Sequence, residues 1–157
     1  MIHQQNVKFY QMKQLGTIAT NATDVSYLDG QGYDYAKIRV MVAPSGASNA
    51  SATFSTLALV DANDTNTTSF ANVTGFVGGT DFTIPIVNTS TSNTIIEFNV
   101  DLRKRKRYVG VKSTPGVVAS TMGSYTVFGD LSRAEVSPTT SAEAIGGVST
   151  NLIRVIG

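Results

Sequence analysis

Apolar and polar residues alternate along the most readable segments of the chain, and a period of two is the signature of half-buried strands. Residues 35–42 put Ala36, Ile38, Val40 and Val42 on one face and Tyr35, Lys37, Arg39 and Met41 on the other. They predict a strand with one wet side. Residues 95–102 repeat the pattern, with Ile96, Phe98, Val100 and Leu102 inward and Glu97, Asn99 and Asp101 outward. Further strands are predicted at 7–15, 53–60, 81–85, 108–113, 124–131 and, briefly, 152–156. Turn signals separate them: Asp29-Gly30-Gln31-Gly32, Pro44-Ser45-Gly46, Gly78-Gly79, Pro115-Gly116 and Gly146-Gly147. The spacing predicts roughly six to eight strands in an all-β fold, a single antiparallel β-sandwich or barrel of jelly-roll-like kind.

Two polar stretches, 61–69 and 87–93, read as exposed loops. Phe70, Val73 and Phe76 stand three apart, a spacing that suits a single helical turn within 69–76 or a cap on a sandwich edge. Residues 138–144 suit the start of a short helix that Gly146-Gly147 ends. Residues 1–15 are expected as an N-terminal arm or edge strand, and 16–157 as one sandwich domain.

Composition narrows the chemistry. The 157 residues fit one domain. Only 15% are charged, against about 25% in ordinary soluble domains. Thr, Ser and Asn together supply 45 residues, which favours strands and turns over long helices. Cysteine is absent, so disulfides, thiolate zinc sites and cysteine nucleophiles are excluded. The single histidine, His3, makes a Ser-His-Asp triad or a multi-histidine metal site hard to build. No enzyme, cofactor or metal is expected; binding or assembly is. No signal peptide or run of about 20 apolar residues is seen, so synthesis in the cytoplasm and no membrane partner are expected.

The sharpest local feature is Arg103-Lys104-Arg105-Lys106-Arg107, directly after the second strong strand. The formal charge is +1, and these five cations leave −4 on the rest, so charge is polarised. The plain reading is a solvated loop, or an edge guarded by charge against strand pairing. Nucleic-acid binding is disfavoured, since the chain is not basic elsewhere and only Tyr108 offers a ring beside the run. Docking on an acidic protein surface fits better. If the strand continued through the block, Arg103, Arg105 and Arg107 would share a face suited to bidentate carboxylate contacts.

Other constellations are weaker. Asp61, Asn63 and Asp64 offer oxygen ligands to calcium, but no glutamate or sharp-turn glycine follows, so an Asx-rich loop is the default. Asp24, Asp29 and Asp34 are close enough in sequence to consider for acid–base pairing, although solvated or capping roles are commoner for loop acids. Phe9, Tyr10, Tyr27, Tyr33 and Tyr35 suit either a sugar-binding face or core and cross-strand packing.

Tyr33-Asp34-Tyr35-Ala36, residues 73–85 (VTGFVGGTDFTIP) and Phe98-Asn99-Val100-Asp101-Leu102-Arg103 are phrases that resemble small structural proteins of tailed-bacteriophage head-gene regions. Arg105-Lys106-Arg107-Tyr108, residues 131–135 (LSRAE) and Ser137-Pro138-Thr139-Thr140 continue the likeness, which covers about residues 24–143. The resemblance implies a virion component, a capsid decoration (cement) protein on the outer capsid surface. It implies a homotrimer of β-rich protomers whose partner is the major capsid protein. Under it, Val7, Phe9, Met12 and Leu15 are available to add a strand to a neighbour or to lie on the lattice. The run Arg103, Lys104, Arg105, Lys106 and Arg107 would meet acidic capsid surface. The rival readings are a tail, neck or fibre component, or a carbohydrate- or calcium-dependent binding module.

Overall fold

The alternation at 35–42 becomes a buried strand face: Ala36, Ile38 and Val40 are wholly enclosed and Val42 nearly so. The computed structural model describes residues 8–16, 22–43, 53–87, 93–116, 124–132 and, as backbone, 151–156. Nine strands follow in order: β1 (Lys8–Gly16), β2 (Asp24–Asp29), β3 (Tyr35–Val42), β4 (Phe54–Ala62), β5 (Ala71–Val77), β6 (Thr94–Asp101), β7 (Tyr108–Pro115), β8 (Tyr125–Ser132) and β9 (Asn151–Ile156).

The first eight pair as a nested series: β4 with β5, β3 with β6, β2 with β7 and β1 with β8, all antiparallel. Successive pairs fall in opposite sheets, giving β1-β8-β3-β6 in one and β2-β7-β4-β5 in the other. This is the wiring of a jelly roll, in which one long ribbon is folded over on itself. The two sheets stack as an open sandwich, so the closed barrel is set aside. Strand β9 extends the first sheet beside β6 and runs parallel to it, with Glu97 opposite Arg154. The sheet is therefore not wholly antiparallel.

Side chains from both inner faces fill the space between the sheets. Phe98 of β6 packs against Phe76 of β5 across the sandwich, with centroids 6.3 Å apart, and against the edge of Phe82 at 5.8 Å. Leu57 and Leu59 of β4 complete the layer with Val109, Val111 and Val127. A second, smaller cluster lies on the outer face of the other sheet, where Phe70 covers Val60 and Ala62 beside Tyr27 and Tyr108.

Several expectations change. The 69–76 spacing is not a helical turn: a short 3-10 turn spans Thr67–Ser69, capped by Asn66, and a strand follows. Val73 and Phe76 both reach the core despite their odd spacing, because β5 carries extra residues opposite β4 where the register shifts between Ala58 and Val60. Gly75, at φ +87°, supplies the left-handed residue such a bulge accommodates. Residues 81–85 form no strand. Asp81 instead closes a turn, its carboxylate accepting from the Val77 amide at 2.8 Å while its own amide donates to the Val77 carbonyl at 2.7 Å. Strand β2 lacked a sequence signal, being short and polar at both ends. The readings at 138–144, 44–46 and 146–147 lie outside the described residues, as does Val7.

Two of the three outward residues of β6 are not wet. Glu97 is wholly buried and Asn99 is 3% exposed. Arg39, directly opposite Glu97 on β3, donates from Nε to its Oε2 at 3.0 Å and from Nη1 to Asp130 on β8 at 2.9 Å. Asn99 donates to Glu97 Oε1 at 3.1 Å, and Lys37 Nζ stands 3.9 Å away. A strip of alternating charge thus crosses three strands where alternation alone predicted solvent.

Candidate functional site

The basic run does not continue the strand. Strand β6 ends at Asp101, whose carboxylate accepts from the Arg103 amide at 3.0 Å and so caps a 3-10 turn over Leu102–Lys104. Leu102 tucks against the core at 7% exposure, its amide donating to the Asp34 carbonyl at 2.9 Å. Arg105 then donates its amide to the Leu102 carbonyl at 3.0 Å, and the chain enters β7 at Tyr108. Because the backbone turns here, the three arginines do not share one strand face.

The β2–β3 turn lies against this connection. Gly30 donates to the Arg107 carbonyl at 2.8 Å, and Tyr33 donates to the Gly30 carbonyl at 3.1 Å. A side chain at position 30 would press on Leu102 at 3.2 Å and on the Arg107 carbonyl at 3.3 Å, so glycine suits this approach. Gly32, at φ +85°, turns the chain back toward β3 and leaves open space where a side chain would stand.

Three of the five cations meet carboxylates of this same chain. Arg103 grips Asp101 with Nε at 2.9 Å and Nη2 at 2.6 Å. Arg107 grips Asp29 with Nη2 at 2.7 Å and lies over the Tyr108 ring, 5.0 Å from its centroid. Lys106 reaches Asp61 at 3.5 Å. The bidentate carboxylate contacts expected of a partner are thus made at home by Arg103 and Arg107. The Arg103 hydrogen bonds hold Asp101 down to about 2, and those of Arg107 hold Asp29 below the usual carboxylate range. Among the described residues, Lys104 and Arg105 meet no carboxylate. Arg105 is half-buried, with its Nε enclosed and without an acceptor.

The N-terminal candidates separate by face. Phe9 is 59% exposed on the outer side of β1, stacked on Phe128 at 5.4 Å, and Leu15 is 68% exposed. Met12 does not join them: three residues from Phe9, it shares the inner side with Tyr10 and packs against the core, over Gly129. Strand β1 occupies the sheet edge and pairs with β8.

The weaker constellations disperse. Asp24 and Asp29 sit at opposite ends of β2, about 17 Å apart by strand rise, which is too far for acid–base pairing. Asp61 belongs to β4 and faces Lys106, while Asp64 accepts from the Asn66 amide at 2.9 Å. Among the described residues no three His, Cys, Asp or Glu side chains gather to hold a metal, and no helix is long and apolar enough to cross a membrane. The aromatics split three ways: Phe9 on one outer face, Tyr27 with Phe70 and Tyr108 on the other, and Tyr10 and Tyr33 against the core.

Sequence reasoning missed a polar cluster that ties β1 to the opposite sheet. The buried Tyr125 hydroxyl shares a hydrogen bond with Ser113 at 3.0 Å and donates to Asp24 at 3.4 Å. Lys13 closes the set, 3.2 Å from Asp24 and over the Tyr125 ring. Burial pushes the Tyr125 hydroxyl up, so it remains protonated as a donor. Comparison of this chain with protein-family models, with curated proteins and with solved structures returns no match.

Proposed function

We propose that this chain is a non-enzymatic virion protein that decorates a tailed-phage head, docking as a homotrimer on the major capsid protein at the outer capsid surface. The observation that carries the reading is a filled jelly roll whose interior is given over to packing. Tyr125, Phe76, Phe98, Leu57 and Leu59 close the space between the sheets, so the domain acts through its surface. Jelly rolls serve as capsid and lectin domains alike. The resemblance of residues 24–143 to phage head-region proteins favours the first.

Two surfaces are available for this work. One is the basic corner of Leu102–Lys104 and residues 105–107; the other is the β1 edge with Phe9 and Leu15 exposed. An edge strand with unpaired backbone groups is suited to strand addition from a neighbouring protomer. Three such contacts per trimer would strengthen attachment, since each engaged site raises the effective concentration of the next.

The test is where the chain sits and in what copy number. Light scattering on the eluting protein should give close to three protomers of 16.6 kDa at both low and high salt. Gold-labelled antibody should mark particle heads. Label confined to tails would replace this reading with a tail or fibre role, and a monomer that melts higher with calcium or glycans would replace it with a binding module.

A further inference from the structure

We propose that Arg105 is an oxyanion anchor, taking one carboxylate of an acidic side chain on a partner protein into the cleft between the β2–β3 turn and the β6–β7 connection. This deepens the docking reading above and rests on it for the partner, but not for the binding chemistry. The cleft has a volume of about 380 Å³ and is lined by the Gly30 to Tyr33 turn, Leu102 and residues 105–107. Arg105 is one of the lining residues and meets no carboxylate of this chain among the described residues, while its Nε is enclosed and has no acceptor. A guanidinium that meets no carboxylate of its own chain is suited to an anion arriving from outside. The Gly32 position keeps the mouth clear, because nothing lies within 4 Å of where a side chain would begin.

Charge selects the ligand. Arg103, Lys106 and Arg107 are already neutralised by Asp101, Asp61 and Asp29, so the five cations do not present five free charges. A polyanion such as nucleic acid draws affinity from many unpaired cations along its backbone. This corner leaves one half-buried guanidinium with an exposed Lys104 beside it, which suits a single oxyanion held in a planar, charge-assisted contact.

The experiment uses the full chain labelled with nitrogen-15 and follows arginine Nε–Hε resonances during titration with a hexaglutamate peptide, sodium acetate or a single-stranded oligonucleotide. Expected is a saturable displacement of the Arg105 resonance by the peptide, and by acetate at higher concentration. R105K keeps the charge but lacks the planar donor pair, and should weaken peptide binding about tenfold. K104A should change it less than about threefold. Arg103, Arg105 and Arg107 resonances moving together without saturation would overturn the proposal, as would parental affinity in R105K. Tighter binding of the oligonucleotide than of the peptide would overturn it in favour of a polyanion site. Failure here leaves capsid attachment through the β1 edge standing, whereas failure to find capsid attachment leaves a saturable Arg105 site standing.

Discussion

Arg107 holds Asp29 across 78 residues of chain, with Nη2 2.7 Å and Nε 3.1 Å from its carboxylate oxygens. The contact pins the end of β2 to the start of β7 and removes one cation from the basic corner. Substituting Asp29→Asn should therefore act more on binding than on folding. The melting temperature should fall by a few degrees at most, because an exposed pair contributes little to stability. Affinity for an acidic peptide should rise severalfold, since Arg107 is released beside Arg105. Unchanged or weaker binding in the D29N protein, measured by the same titration, would show that Arg107 does not compete with the partner.

Asp101 supplies a pH dependence whose sign is fixed. Its carboxyl is held down to about 2, first by the Arg103 side chain and then by the Arg103 amide. In the unfolded chain an aspartate titrates near 3.9. The contribution is therefore complete above about pH 4 and is lost as the pH falls through about 2. Following the Asp101 carboxyl carbon by NMR should give that low midpoint, and Arg103→Ala should move it upward toward the ordinary value. A midpoint indifferent to the substitution would mean that the Arg103 contact is not kept in solution.

Gly129 of β8 lies close under side chains of β2 and β1. A methyl group there would stand 2.6 Å from Leu28 Cδ2 and 2.9 Å from Met12 Sδ. Met12 is flexible and can yield, but Leu28 belongs to the core. Gly129→Ala should destabilise by about 1–3 kcal/mol in urea unfolding, the range for overpacking. A neutral result would place Met12 and Leu28 in a looser arrangement.

Among the described residues, Glu97 is the one carboxylate that burial encloses completely. Replacing it with Gln leaves Lys37 and Arg39 facing a neutral group on β6, although Arg39 keeps Asp130. A loss of about 2–3 kcal/mol is expected, below the range for a fully buried pair because Arg39 is part exposed. Combining Glu97→Gln with Arg39→Gln should cost less than the sum of the two single losses in a double-mutant cycle. Additive losses would mean that the two side chains do not couple.

Where period two ran unbroken the fold could be read directly: all of Ala36, Ile38, Val40 and Val42, and of Ile96, Phe98, Val100 and Leu102, face the core. It failed where a local device resets the phase. The β5 bulge at Gly75 puts Val73 and Phe76 on one face, and the β1 bulge after Gln11 shifts the register so that Lys13 stands opposite Val127. The burial of Glu97 was hidden because partners on neighbouring strands, not its own neighbours in sequence, enclose it. At the corner, the capping of Arg103 by Asp101 has a local signal, an aspartate two residues ahead of an amide it can accept from. The pairing of Arg107 with Asp29 and of Lys106 with Asp61 has none, since it depends on how the ribbon folds over. Together with the Arg103–Asp101 pair, it reduces the five apparent cations to two, Lys104 and Arg105, that meet no carboxylate among the described residues.

The proposed decorating role is tested most directly by co-sedimentation of the purified chain with intact tailed-phage heads stripped of decoration protein. Bound protein should saturate at a fixed ratio to the major capsid protein, in multiples of three per local three-fold site. Binding that rises without saturation, or none to heads that retain their lattice, would contradict a decorating role.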